Sequence, residues 1–404
     1  MSTDNASSPS PAPQPLRRRQ WLQWAGVATL GAALPGCAPL GPRQPHTPSP
    51  RQLRLLGESR IPYRHPFQDT TVGGLSGLDY HPGTGQWIAI SDDRSDRQAA
   101  RFYTLNLDVS AQGLGDPQLL RSTPLLAANG LPYPGRQHSA APGQPQPDIP
   151  DPEAIRYRAG TGTLLWTSEG DVRLGLSPAL REISLDGRHL RDFTLPDMLR
   201  VGSDPARGPR KNQCFEGLAL TPNESHAWVA MEGPLLQDGP EPRVGQVGGP
   251  VRLTRFDLRS GRADRQIAYV PDALPHQPIP PGAPADNGLS EILMLNAHEM
   301  LVLERAYMSG VGLSLALYRI DTRQASDTLN QATLQAGRFE PARKTLVADF
   351  SQLGISRLDN TEGMCWGPTL PNGHRTLVFV SDDNFNPLQI TQFLAFEYLD
   401  PSLT

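Results

Sequence analysis

The chain has 404 residues, 38% hydrophobic and 19% charged, with a formal net charge of −4. A balance this close to neutral carries no basic footprint for nucleic acid, so a nucleic-acid partner is not expected. With 38 glycines and 42 prolines the chain is rich in turn formers, which favours many short strands over long helices.

The N-terminus reads as an address. Arg17, Arg18 and Arg19 precede Gln20-Trp21-Leu22, and an apolar stretch runs from Trp24 to Leu34. Paired arginines before an aromatic and a leucine are similar to a twin-arginine export signal. The apolar stretch is too short for a permanent span, which needs about 20 residues. Leu34-Pro35-Gly36-Cys37 resembles a bacterial lipobox, with Cys37 as the lipidated residue. These features predict a signal over 1–37, a Pro/Gln-rich tether over 38–50 and one domain over 51–404. The mature protein is then exported and periplasmic or envelope-bound, held to the membrane through its lipid alone.

Five copies of one pattern follow. They begin at Ser76 (LSGLDY), Glu153 (PEAIRY), Glu216 (FEGLAL), Glu291 (SEILML) and Glu362 (TEGMCW). Each leads through a turn signal (HPGTGQ, RAGTGT, TPNESH, LNAHE, LPNGH) into an apolar run ending in an acid: Asp92, Glu169, Glu232, Glu304 and Asp382. The two marked positions are 16 residues apart in the first three copies, 13 in the fourth and 20 in the fifth. Repeats of this kind mean a repeat architecture. Two further strand-like runs complete units one to four, for example VRLTRFDL and DRQIAYV in unit three. Unit five is one strand short, and QLRLLGESRIP at 52–62 supplies the missing one. The expectation is an all-β, five-bladed propeller with four strands per blade, its ring closed by the N-terminal strand in the last blade. Six blades are the alternative if 110–150 or 270–290 hides strands; both stretches are Pro-rich and read as surface loops.

In a propeller the first strand of each blade lines the axis, and the loop entering it shares a face with the loop leaving the second strand. The nine acids Glu153, Glu216, Glu291, Glu362, Asp92, Glu169, Glu232, Glu304 and Asp382 should therefore ring one mouth, with Asp93 and Asp383 beside them. Like charges so close cannot all stay ionised without compensation. Oxygen-only donors suit a hard cation, above all Ca²⁺, with Mg²⁺ or Mn²⁺ as alternatives. Zinc and redox metals fit poorly, because His81, His226, His298 and His374 fall in the opposite turns. The competing reading is that these acids only brace the blades, accepting bonds from backbone amides and from arginines such as Arg156. Ser76, the one non-acid at the first position, reads as a small residue that leaves an opening. Cys214 and Cys365 sit in units three and five, which are not neighbours, so two buried thiols are favoured over a disulfide.

Taken as a set, GLSGLDYHPGTGQWIAISDDR, DPEAIRY, FEGLALTPNESHAWVAMEG, LSEILML and DNTEGMCWG…VFVSDDN resemble the phytase-like propeller domain with esterase-like activity, over about residues 65–400. The resemblance implies an exported propeller and hydrolysis of phosphoric or carboxylic esters. On this reading the protein is a calcium-dependent hydrolase of a small phosphate ester. Glu153, Glu216, Glu291 and Glu362 are the catalytic acids; Asp92, Glu169, Glu232, Glu304, Asp382 and Asp383 hold metal. Arg94, Arg305, Arg210 and Lys211 bind the substrate anion. A calcium-dependent lactonase or carboxylesterase, and a non-catalytic envelope lipoprotein that binds a ligand or protein, are the alternatives. A monomer is expected. G-x-S-x-G, H-E-x-x-H, P-loop and dinucleotide motifs are absent from the sequence.

Overall fold

The computed structural model describes residues 52–399 apart from residue 142. The proposed signal, Cys37 and the tether lie outside the described residues. Strands dominate, and helix among the described residues is confined to short 3-10 turns. Five four-stranded antiparallel sheets form the blades of a propeller.

Blade one contains Leu75–His81, Gln86–Ser91, Arg101–Asn106 and Gln118–Pro124. Blade two contains Pro152–Arg158, Thr163–Ser168, Ala179–Ser184 and His189–Asp192. Blade three contains Phe215–Leu220, His226–Met231, Val251–Asp257 and Arg262–Tyr269. Blade four contains Ala285–Met294, Glu299–Met308, Gly312–Asp321 and Lys344–Asp349. Blade five contains Thr361–Thr369, Arg375–Ser381 and Thr391–Tyr398, and its fourth strand is the N-terminal Leu53–Ile61, antiparallel to Thr391–Tyr398. Among the described residues, 110–150 carry a small hairpin of two two-residue strands, the expected fourth strand of blade one and a 3-10 turn at Arg136–His138. The stretch 270–290 is less irregular than expected, because the first strand of blade four already begins at Ala285.

Alternation explains why these runs are strands. Apolar side chains on both faces of each blade are buried against the neighbouring blades. One cluster lies between blades one and two, a large one spans two, three and four, another joins four and five, and another joins five and one. At about 25 cal/mol per Å² of apolar surface removed from water, these interfaces supply the main driving force. Cys214 and Cys365 are buried free thiols within them, as the sequence reading favoured.

The first strands crowd the axis. In blades one, three and five a glycine follows the marked position because there is no room for a Cβ. One added to Gly77 would lie 2.5 Å from the Glu153 carbonyl oxygen, and one added to Gly217 would lie 2.8 Å from the Ile292 nitrogen. One added to Gly363 would lie 2.9 Å from the Ser76 carbonyl oxygen. On the axis itself sits the buried Arg156. Its guanidinium donates to the carbonyls of Leu78 (2.7 Å), Ile155 (2.8 Å), Ile292 (3.3 Å) and Met364 (2.9 Å), one from each of four blades. Glu291 pairs with it at 2.7 Å and accepts from the Leu218 amide of the remaining blade at 2.8 Å. One ion pair thus ties all five first strands together beneath the mouth.

Candidate functional site

Strand register decides which acids reach the mouth. In blade five Thr361 pairs with Ser381, Glu362 is bulged out, and Gly363 pairs with Val380. Blade one repeats this around Ser76, and blades two and three carry the same irregularity at Glu153 and Glu216. A bulge of this kind re-aims a side chain. The second strand ends one residue before Asp92, Glu169, Glu232 or Asp382, so each of these acids starts the loop beside the bulge.

Blade four corrects the alignment. There Leu289 pairs with Glu304 and Glu291 with Leu303, so the bulged residue is Ser290 and the residue after the pair is Arg305. Ser290 and Arg305, not Glu291 and Glu304, hold the equivalent positions. Glu291, expected among the catalytic acids, occupies the place of Gly363 and turns to Arg156 on the axis, away from the lining of the mouth. Glu304 turns outward into a buried network, accepting from Tyr269 Oη (2.6 Å), the Asp272 amide (3.0 Å), Asn287 Nδ2 (3.1 Å) and Lys344 Nζ (2.5 Å). Expected among the metal-holding acids, it braces this network and does not line the mouth.

Four other expected site residues also lie outside the lining of the mouth. Asp383 accepts from the Gly74 amide (2.9 Å) and the Phe385 amide (3.0 Å), fastening a blade-five loop to blade one. Asp93 accepts from the amides of Asp96, Arg97 and Gln98 and pairs with Arg101 at 2.8 Å. Arg210 donates to the carbonyls of Pro234 (3.0 Å) and Gly239 (2.8 Å) and supports a loop. Lys211 is exposed in a smaller adjoining pocket with Arg97, Arg136 and Arg173, which shares Asp92 and Arg94 with the mouth.

The mouth is a cavity of about 610 Å³ lined by Asp92, Glu153, Glu169, Glu216, Glu232, Asp286, Glu362 and Asp382. Arg94 and Arg305 enter it from either side. Three acids in or beside the mouth were not legible from the repeats: Asp286, Asp151 and Asp359, the last buried and paired with Arg357 at 2.8 Å. Asp286 precedes its bulge on the extended first strand of blade four. Asp151 immediately precedes Pro152 and is buried against Arg94 at 2.5 Å. Its one visible signal was the DPE run, where two acids flank a proline. Arg305 donates to Asn360 Oδ1 and to Glu232 Oε1, both at 2.9 Å, and lies 3.5 Å from Glu362.

Burial above all pushes these carboxyls upward, and neighbouring acids push them further. Asp92 is raised to about 8, by burial and then by Glu362. Asp151, Glu153, Glu216, Glu232 and Asp382 stand well above the usual range for the same first cause. Glu169 and Glu362 are also raised, although the Cys214 amide and Arg305 respectively oppose the shift. The crowded acids hold both arginines more firmly protonated against the cost of burying them.

The donor set fits a hard cation. Oxygen atoms from Asp151, Glu153 and Glu169 lie within 4.8 Å of one another, as do those from Glu169, Glu216 and Glu232. No nitrogen or sulfur donor belongs to either set. Asp151 Oδ1 and Asp92 Oδ1 are buried with no hydrogen-bond partner among the described residues. Buried oxygens without donors carry a desolvation cost that a bound cation would offset.

A five-bladed propeller with an acid-lined, floored mouth is the class that fold and site define. The phytase-like family, described by its esterase-like activity of phytase, matches residues 70–385, and the chain belongs to it. Similar solved structures are distant. The bifunctional GH43-CE protein of Bacteroides eggerthii is 9% identical over 85% of this chain and 34% of that one, with a TM-score of 0.42. The catalytic domain of Coprinopsis cinerea GH62 alpha-L-arabinofuranosidase is 11% identical, covering 86% and 98%, with a TM-score of 0.42. The Pseudomonas aeruginosa periplasmic gluconolactonase PpgL is 12% identical, covering 82% and 87%, with a TM-score of 0.34. The chain spans about a third of the length of the Bacteroides protein. No curated protein matches the sequence.

Proposed function

We propose that the protein is an exported, calcium-dependent hydrolase of phosphate esters whose site is the acidic mouth. One observation carries the reading: buried carboxylates outnumber the two arginines that face them, and several of their oxygens have no donor. Both arginines are already committed, Arg94 to Asp151 and Arg305 to Glu232 and Glu362. An anion therefore gains little from them directly and needs bound metal as its partner. Calcium held by Asp151, Glu153, Glu169, Glu216 and Glu232 would polarise the phosphoryl oxygens and acidify water. Asp92, with one unpartnered oxygen and a raised pKa, takes the proton from the attacking water and returns it to the leaving alcohol oxygen as the ester bond breaks. Lys211 and Arg173 in the adjoining pocket meet the rest of an anionic substrate. Membership of the phytase-like family supports ester hydrolysis, and the Arg-Arg and Leu-Pro-Gly-Cys37 segments support export and lipid anchoring.

The test is a panel of phosphomonoesters, carboxyl esters and lactones, assayed in chelator and after calcium is restored. Phosphomonoester turnover that appears only with calcium is the expected result. Calcium-dependent turnover of lactones or carboxyl esters alone would transfer the reading to that chemistry. A calcium-saturated protein inert to the whole panel would leave a binding protein.

A further inference from the structure

The acids of the mouth are not equivalent. On the blade-five side each has a donor. Glu362 accepts from Asn360 Nδ2 at 2.8 Å and faces Arg305; Asp382 accepts from the Asn384 amide at 2.7 Å and from Asn360 Nδ2 at 3.4 Å. On the opposite side five acids from two adjacent blades converge: Asp151, Glu153 and Glu169 from blade two, Glu216 and Glu232 from blade three. Among the described residues Glu153, Glu169 and Glu216 make no ion pair, since the arginines go to Asp151 and Glu232. The fully buried Asp151 keeps Oδ1 without a donor inside this group. Glu169 belongs to both triads and is held by the Cys214 amide at 2.6 Å. The Cys214 thiol itself donates to the Arg210 carbonyl oxygen and takes no part.

Building on the reading of the mouth as a hard-cation site, we propose that blades two and three hold a pair of divalent cations bridged by Glu169. Asp151 and Glu153 complete one set and Glu216 and Glu232 the other, while Glu362 and Asp382 bind none. A carboxylate has two oxygens and can serve two cations at once, and all-oxygen sets select calcium-like ions. The five acids outnumber the two arginines that pair with them by three, so two divalent ions nearly neutralise the group. Arg305 fills the blade-four position, and the two blade-five acids are partnered by neutral donors of the chain itself, Asn360 Nδ2 and the Asn384 amide.

The experiment counts ions, with no substrate present. The full-length protein is stripped with chelator, then titrated with Ca²⁺ by calorimetry and with Tb³⁺ by luminescence. Two equivalents are expected for the unaltered chain. Glu169→Gln should weaken both by about tenfold or more, Asp151→Asn and Glu232→Gln should each remove one, and Asp382→Asn should remove none. Folding is checked in chelator, where Glu169→Gln and Asp382→Asn, which each remove one of several crowded like charges and break no ion pair, should leave the melting temperature unchanged or higher; Asp151→Asn and Glu232→Gln each take a partner from an arginine and are read at a temperature where they still show a folded baseline. Equal losses in Asp382→Asn and Glu169→Gln, or two tight equivalents retained in Glu169→Gln, would overturn the bridged pair. The pair and the hydrolase reading fail separately. Two ions bound as expected with no ester turned over sinks only the hydrolase. Calcium-dependent turnover with binding indifferent to Glu169 sinks only the pair.

Discussion

Arg305 supplies at the mouth the positive charge that an acid cluster must otherwise draw from solution. Its guanidinium bonds Glu232 and Asn360 and faces Glu362 within a buried site. Arg305→Met leaves both carboxylates without that charge, so in chelator the variant should melt well below the unaltered protein, with calcium restoring part of the loss. Breaking such a pair costs on the order of 3–5 kcal/mol. The raised carboxyls fix a pH dependence opposite in sign to that of ordinary paired acids. Asp92 ionises near 3.8 when unfolded and near 8 when folded, so between these values the native state binds more protons and loses stability as pH rises. Glu182 and Glu397, which are lowered, act the other way: their contribution is fully present above about pH 5, so it no longer changes with pH there, and it is lost only as pH falls below that. The metal-free protein should therefore melt at a higher temperature at pH 5 than at pH 8. Calcium, which needs the ionised forms, should shrink or reverse that difference, as calorimetric scans at the two pH values would show. Asp92→Asn should lower kcat by about 10²- to 10⁴-fold while leaving the calcium stoichiometry intact.

At the scale of the blade, the repeat was legible because it is a physical unit: a bulge, a hairpin and a loop that begins with an acid. Blades one, two, three and five obey that unit, and the strands stood within a few residues of their expected places. Blade four departs from it for a reason that one sequence hides. Its first two strands run on for ten residues each, so Glu304 lies inside the second strand rather than at its end. A shift of one residue at a bulge then puts Ser290 at the bulge, brings Arg305 to the mouth and turns Glu291 to the axis. The 13-residue spacing of that copy was the trace of the shift. The bracing alternative describes the contacts of Glu291, Glu304, Asp93 and Asp383, each of which accepts from its own donors within the chain. Asp151 escaped notice because it lies outside the repeated unit. The axial ion pair yields a prediction at this scale. Arg156→Met removes donors from four carbonyls and strands the buried Glu291, and should cost on the order of 3–5 kcal/mol in denaturant unfolding. Adding Glu291→Met to it should recover part of the loss, because the orphaned charge is then gone.

The whole molecule depends on a strand taken from the far end of the chain. Leu53–Ile61 covers Thr391–Tyr398, pairing Leu53 with Tyr398 and Ile61 with Thr391. The pairing is reinforced by side chains, since Arg54 donates to Glu397, and Glu58 accepts from Gln392 Nε2 (2.8 Å) and from the Ser356 amide (2.6 Å). Every residue of Thr391–Tyr398 is buried. A chain beginning at residue 62 would expose the backbone edge of that strand together with the apolar side chains that Leu53 and Ile61 pack among, such as Phe396, Tyr398 and Phe393, which is the arrangement that templates aggregation. The mouth would suffer as well, although no residue of the lost strand reaches it. Glu362 and Asp382 stand on the other strands of the same blade, and Glu153 leans on blade one through the Ser76 hydroxyl at 2.8 Å. The expected outcome is a truncated chain that is insoluble, or that melts far lower and binds calcium weakly. Supplying residues 52–62 as a separate peptide should restore both stability and binding, because strand addition needs only the free edge. A truncated chain that melted with the full one would show that the four remaining blades and three strands suffice, and the N-terminal strand would then be a cover rather than a fastening.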